Sequence, residues 1–169
     1  RVEAFSSEKT GALIVFERQT VLEDYAETGT ILDAFITQQL LASIFYEGAP
    51  LHDGAIIISG TKVYAAGCVL PLSNSQAIGK ELGTRHRAGL GITENSDAVA
   101  LIVSEETGII SMAEDGKLER FLDTRTVEKR LLDIYLSKQT IRKKISEIPN
   151  AQSMFNKATG STYKGKEDD

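Results

Sequence analysis

Apolar residues fall in short blocks separated by polar, often glycine-containing turns, and block length and period predict the elements. Ala12–Phe16 (ALIVF) is an apolar, partly β-branched run that predicts a buried strand. In the following TVLEDYAETG, Thr20 is placed to cap a helical turn and Gly29 to end it. Thr37 is an N-cap candidate for the next helix. Leu40, Leu41, Ile44 and Phe45 share one face of it, and Gly48 and Pro50 close it. Ala55–Ser59 and Val63–Leu70 flank a Ser-Gly-Thr-Lys turn and predict a hairpin. Thr84 reads as the N-cap of a further helix. Ala98–Val103 is a second buried strand, and Ile109–Ala113 follows it across the polar turn Ser104–Gly108. Glu114–Lys117 is again a turn.

From Thr124 a helix is expected, with Val127, Leu131, Ile134 and Tyr135 at helical spacing. Gln139–Pro149 predicts a separate short amphipathic helix stopped by Pro149. From Asn156 the chain is polar and reads as a disordered tail. Strands and helices are interspersed, but two hairpins break a strict βαβ order. The expected fold is therefore a single α/β domain of mixed α+β type, a central mixed parallel and antiparallel sheet flanked by helices. Its bounds are residues 1–155, with 156–169 as the tail.

Composition adds exclusions. At 169 residues and 41% hydrophobic, the chain can bury a sizeable core. A net charge of −5 gives no electrostatic case for nucleic acid or for a membrane-coating surface, so any anion site must be local. Cys68 is the single cysteine, which excludes an intramolecular disulfide and a cysteine-based zinc site. Lying in an apolar run, it reads as a small buried hydrophobe. No stretch approaches the roughly 18 apolar residues of a membrane span, and no signal peptide is visible. The chain begins at Arg1 rather than Met and reads as a fragment.

Three segments carry candidate chemistry. In Leu51-His52-Asp53-Gly54-Ala55 an imidazole and a carboxylate stand just before a buried strand, and Gly54 permits close approach of a ligand or backbone. Such a carboxylate can hold a metal or orient a hydroxyl, or the segment is an ordinary Asp-Gly turn. Thr84-Arg85-His86-Arg87 places cations at the pole of a helix that already carries positive partial charge. A phosphate held there would offset them; the alternative is a solvated basic turn. Arg85 and Arg87 are two apart and point in different directions on a helix, so they need not share a ligand. Ser104-Glu105-Glu106-Thr107-Gly108 sets adjacent carboxylates at a strand end, either a divalent-cation site beside a phosphate or a solvated turn. No Walker A sequence, GxGxxG or HExxH is present. Gly89 and Gly91 suit close packing or an imperfect helix. Together the three segments supply what phosphoryl or nucleotidyl transfer needs.

PLHDGAIII, GTRHRAGLGIT and VALIVSEETGIIS, in this order and at these distances, resemble the diadenylate cyclase domain shared by the CdaA and DisA families. The family's DGA and RHR signatures are present as Asp53-Gly54-Ala55 and Arg85-His86-Arg87, and the resemblance spans residues 10–138. ILDAFITQQLLASIFYEGAPLHDGA is more similar to the membrane-anchored CdaA type, and nothing resembles the DNA-binding region of DisA.

The resemblance implies an enzyme that condenses two ATP into cyclic di-AMP and two pyrophosphates across a face-to-face homodimer. It assigns catalysis to Asp53, Arg85, His86 and Arg87. It places Gly54, Ala55, Val69, Leu70, Thr84, Ser104 and Glu105 at the substrate with Arg85 and His86. The implied metal ligands are His52, Asp53 and Glu106, with Mn²⁺, Mg²⁺ or Co²⁺ as the cation. An aromatic residue is implied where this chain has Val69, which offers adenine only an aliphatic wall. Also implied are a membrane anchor N-terminal to this sequence, a location at the cytoplasmic face of the cell membrane, a YbbR-domain regulator and an inhibitory phosphoglucosamine mutase.

Overall fold

The computed structural model describes residues 1–75, 79 and 82–146, with side chains only as far as residue 136 at the C-terminal end. Two compact units divide the chain, Arg1–Lys129 and Arg130–Asp169. The first holds helices α1 (Val2–Glu8), α2 (Glu23–Ala26), α3 (Gln38–Ile44) and α4 (Thr84–Glu94). Its strands are β1 (Ala12–Phe16), β2 (Thr30–Phe35), β3 (Ala55–Ser59), β4 (Lys62–Cys68), β5 (Val99–Val103), β6 (Ile110–Glu114) and β7 (Lys117–Arg120). Helix α5 (Thr124–Ser146) begins in the first unit and supplies the described part of the second.

The strands form one sheet in the order β2-β4-β3-β1-β5-β6-β7. Only β1 and β3 run parallel; the remaining pairs are antiparallel, which gives the mixed sheet the sequence predicts. The apolar runs take its centre because strands covered on both faces need no polar alternation. All five residues of β5 are buried, as are four of five in β1 and in β3. One face packs Leu13, Val15, Ile57 and Ile102 against Leu22 and Ala26 near and within α2, and against Leu90 and Ile92 of α4. On the other face Phe5 of α1 meets Phe45, just past α3, edge-on with ring centroids 5.5 Å apart. Buried Cys68 sits in the first core, where desolvation pushes its thiol up to about 11. Tyr64 packs partly buried against the same cluster.

Helix α4 approaches the sheet closely at Gly89 and the segment after β4 closely at Gly91. A Cβ on Gly89 would fall 2.9 Å from Ile102 Cδ1, and one on Gly91 2.9 Å from the Ser73 nitrogen. That bears out close packing as the reason for the two glycines.

Several expectations need correction. Strand β2, strand β7 and helix α1 are additional elements. Thr20 does not cap α2, whose N-cap is Leu22 with no side-chain bond. The Thr20 and Gln19 N–H groups instead donate to Asp97, at 2.9 and 3.0 Å. Gly83, not Thr84, is the N-cap of α4. Residues 124–146 form one continuous helix, so no separate helix starts at Gln139. Thr37 does cap α3, its hydroxyl accepting from the Leu40 N–H at 3.1 Å. Pro149 and the tail from Asn156 lie outside the described residues.

Asp97 ties the β1–α2 loop to the start of β5. Partial burial works against its charge, but the Thr20 and Gln19 N–H groups, the Thr20 hydroxyl and Arg18 outweigh it and hold the carboxyl below its ordinary range. With the folded-state pKa depressed, this contribution is complete above the unfolded Asp value near 3.9 and lost as pH falls through the folded one. Asp97→Asn should lower stability by roughly 1 kcal/mol at pH 7, a modest figure because the pair of bonds is partly solvated. Urea unfolding at pH 7 and pH 3 should show the gap between the two proteins closing at the lower pH. An equal gap at both would remove the carboxylate from the account.

Candidate active site

The entry into β3, the end of β4, the N-terminus of α4 and the turn after β5 surround a cleft of about 630 Å³. That volume suits one small ligand. Its geometry starts with a bulge. Ala55 pairs with Cys68 but Ile57 with Ala65, so β4 carries one extra residue, and Gly67 there has φ 69°. The bulge re-aims Cys68, Val69 and Leu70 into the cleft. Opposite it, Gly54 has φ 110°, and a Cβ there would lie 2.8 Å from the Cys68 carbonyl oxygen.

The apolar part of the wall is Leu13, Val69, Leu70, Leu72, Leu82 and Ala88. Val69 is 67% exposed and so offers a bare aliphatic surface. Its backbone is pinned by Thr28, whose hydroxyl donates to the Tyr25 carbonyl at 2.6 Å and accepts from the Val69 N–H at 2.8 Å.

The polar part begins at α4. Its first turn contains no acidic residue and its N-cap makes no side-chain bond, so its free N–H groups are left to a ligand. Thr84, Arg85 and His86 all line the cleft. Nε of Arg85 and Nε2 of His86 are buried without a hydrogen-bond partner. A phosphate oxygen would satisfy such groups. Burial first, then the Arg120 charge, lowers the His86 pKa against an opposing pull from Glu106, which favours neutral imidazole. Arg85 also forms an ion pair with Glu105 through Nη1.

Ser104, Glu105, Glu106 and Thr107 complete this side. Their turn is tight: the Gly108 N–H donates to the Ser104 carbonyl at 2.8 Å, and the Ser104 N–H to the Ile109 carbonyl at 3.1 Å. Arg120, at the end of β7, also lines the cleft. Its guanidinium lies over the ring of Phe121, 5.0 Å from the centroid, and Phe121 holds the left-handed φ of 62°. Sequence reasoning does not reach Arg120, Leu82 or Thr28. Arg120 arrives only through the β6–β7 register, in which it pairs with Ser111.

Asp53 and Gly54 stand across the cleft from α4, and the Asp53 side chain is 87% exposed. Three expected residues lie off the wall. Ala55 is wholly buried behind it. Arg87 uses its backbone, the N–H donating to the Gly83 carbonyl and the carbonyl accepting from Ser73 at 2.9 Å. His52 sits behind Asp53, with Nδ1 2.5 Å from the Ala49 carbonyl and Nε2 3.4 Å from Asp53 Oδ1.

Donation from Nδ1 to Ala49 would leave the His52 Nε2 lone pair for a cation, the arrangement usual in histidine ligands. Asp53 and Glu106 add oxygen donors at the cleft. Among the described residues no three histidine, cysteine or carboxylate side chains gather into a ready-made metal cage. A cation here would take one or two of these carboxylates and complete its sphere with phosphate oxygens and water.

Comparison with known proteins identifies the family. Residues 1–118 match the family model described as "DisA bacterial checkpoint controller nucleotide-binding". Cyclic di-AMP synthase CdaA of Bacillus subtilis is 46% identical over 139 residues, 82% of this chain and 50% of that protein. A diadenylate cyclase of Listeria monocytogenes is 50% identical over 124 residues, 73% of this chain and 45% of that protein. The chain thus spans about half the length of these curated relatives. The crystal structure of a double mutant of DacA from Staphylococcus aureus superposes with a TM-score of 0.78 at 52% identity, covering 79% of this chain and 89% of that one. Family model, relatives and fold agree, and the chain belongs to the DisA nucleotide-binding, or diadenylate cyclase, family.

Proposed function

We propose that this chain is the catalytic domain of a diadenylate cyclase, a nucleotidyltransferase that joins two ATP into cyclic di-AMP. One observation carries the reading: Asp53-Gly54 and the uncapped α4 terminus line one cleft of about 630 Å³, and Nε of Arg85 and Nε2 of His86 are buried there without a hydrogen-bond partner. The names of the relatives support it.

Each cleft takes one ATP, so two domains meet face to face as a homodimer. The α4 N–H groups, Thr84, Arg85, His86 and Ser104 hold the triphosphate. Arg120 adds positive charge beside them. Val69 and Leu70 wall the adenine, and the Leu70 backbone reads its edge. Gly54 lets the nucleotide reach the backbone, with Ala55 packed behind. Arg87 acts from behind the wall by fixing the loop at Ser73, and Glu105 acts at the substrate through Arg85.

Asp53 orients the 3′-hydroxyl and accepts its proton as the oxygen bonds to the α-phosphorus of the opposite ATP. The bond from that phosphorus to the bridging oxygen breaks and pyrophosphate leaves. The same exchange with the roles reversed closes the ring. His52, Asp53 and Glu106 would hold a divalent cation, Mn²⁺, Mg²⁺ or Co²⁺. When bound, it supplies positive charge to the phosphates.

No helix among the described residues is long and apolar enough to cross a membrane. The CdaA likeness and the greater length of the relatives support an anchor elsewhere in a longer protein. The domain would then work at the cytoplasmic face of the membrane, with a YbbR-domain regulator and phosphoglucosamine mutase as partners.

Incubation with ATP and Mn²⁺, and separately Mg²⁺, over a range of protein concentrations tests the reading. Chromatography with mass detection should show cyclic di-AMP, with specific activity rising with concentration. ATP binding without product, even after forced dimerisation of the domain, would replace the cyclase with a nucleotide-binding module.

A further inference from the structure

The residue that leads into β1 is Gly11, and its backbone does not ask for glycine. Its φ lies outside the left-handed region, so any residue can adopt the conformation. What is missing is room. A Cβ on Gly11 would lie 2.8 Å from Nη1 and 2.9 Å from Cζ of Arg85, and 2.9 Å from Oε2 of Glu105. All three atoms are side-chain tips from elsewhere in the fold. Arg85 comes from the first turn of α4, Glu105 from the turn after β5. Ala12 pairs with Val103, which brings position 11 beside that turn. The guanidinium therefore lies against bare backbone, with Nη1 on Glu105 and Nε buried without a hydrogen-bond partner.

We propose that Gly11 is a positioning residue for Arg85. Its missing side chain and the Glu105 carboxylate form a seat that fixes the guanidinium at the cleft wall, its remaining N–H groups left for a phosphate. The proposal rests on the reading of the cleft as an ATP site. An unheld arginine gives up rotamer freedom when it binds an anion, whereas a seated one has already lost it. The planar fork lets one corner serve Glu105 and another edge serve phosphate. Arg85 is 20% exposed in its side chain and Glu105 63%, so the pair adds little stability and acts through geometry.

Gly11→Ala tests this, because the added methyl suits the backbone and can be accommodated only by moving the guanidinium. The KM for ATP, and the ATP Kd by calorimetry, should rise roughly tenfold, the order expected for one misplaced charge-assisted bond. The melting temperature should stay within about 2 °C. In an Arg85→Ala background the same substitution should add nothing, since its whole effect passes through Arg85. Glu105→Ala should give the same rise and the same dependence on Arg85, and it decides the matter if Gly11→Ala does not fold. Unchanged KM and Kd in both variants, or an effect of full size without Arg85, would overturn the seat. Calorimetry keeps this separate from the cyclase reading: a chain that binds ATP without making cyclic di-AMP refutes the cyclase but still tests the seat. A chain that does not bind ATP refutes both.

Discussion

Replacing Asp53 with asparagine should abolish cyclic di-AMP formation and leave the protein folded. The Asp53 side chain is 87% exposed and lies 3.4 Å from the His52 ring. Little packing or hydrogen bonding is therefore lost. Asparagine keeps the shape but cannot accept the hydroxyl proton as a carboxylate does. Loss of a positioned general base costs typically 10²–10⁴-fold, and product should fall by about that factor. ATP binding should persist, because Arg85, His86 and the α4 terminus hold the phosphates from the opposite wall. Turnover, Kd for ATP and melting temperature, measured together, check the point. Retained turnover would take the base role from Asp53, and a collapsed melting transition would make the residue structural.

Gly54→Ala should have the largest effect on the fold of any single-methyl change at the cleft. Two costs coincide. The φ of 110° is one that L-residues rarely adopt, and the new methyl would press on backbone, 2.8 Å from Cys68 O and Gly67 C. Unlike the side-chain tips near Gly11, backbone in a paired strand has nowhere to go. With such strain at about 1–3 kcal/mol before the clash, a fall in melting temperature of roughly 10 °C is expected for a chain of this size. Product formation should fall with it, since the same contact sets the bulge that delivers Val69 and Leu70. Thermal unfolding and ATP turnover of the variant measure both. A shift below about 2 °C would mean that β4 moves aside cheaply.

Strands β1, β3, β5 and β6 could be read because each is an apolar run buried almost throughout, and β4 because its alternating buried positions follow β3 across a glycine-containing turn. The edges could not. In β2, TILDAF, the apolar Ile31 and Phe35 are exposed, the pairing is irregular between Ile31 and Ala34, and Asp33 has φ 45°, so apolar and polar residues do not sort by face. β7 is the four-residue strand KLER, with Leu118 its one apolar side chain, held by its hairpin register. α1 buries only Phe5. The split predicted at Gln139 failed because polar residues alone do not end a helix, and no glycine or proline stands between Thr124 and Ser146. Asp53 and Thr84 to His86 were visible as local motifs with evident chemistry. Arg120, Thr28 and Gly11 were not, because each reaches the cleft through strand pairing or a long-range contact. A glycine whose neighbours are arginine and glutamate tips from distant segments looks like any other glycine in one dimension.

The place of β1 between β3 and β5 also governs when the cleft can exist. The β3–β4 hairpin is local and can form as soon as it is made. β1 is the first strand to be synthesised, but its residues 12–16 pair with residues 99–103. The Asp53 side and the α4 side of the sheet meet only across this strand. Closure between such distant segments is slow compared with local pairing, because the loop entropy must be overcome before the contacts form. During translation the nascent chain therefore carries half a cleft until β5 has been made. Affinity for ATP should then arise in one late step, as a property of an almost complete domain.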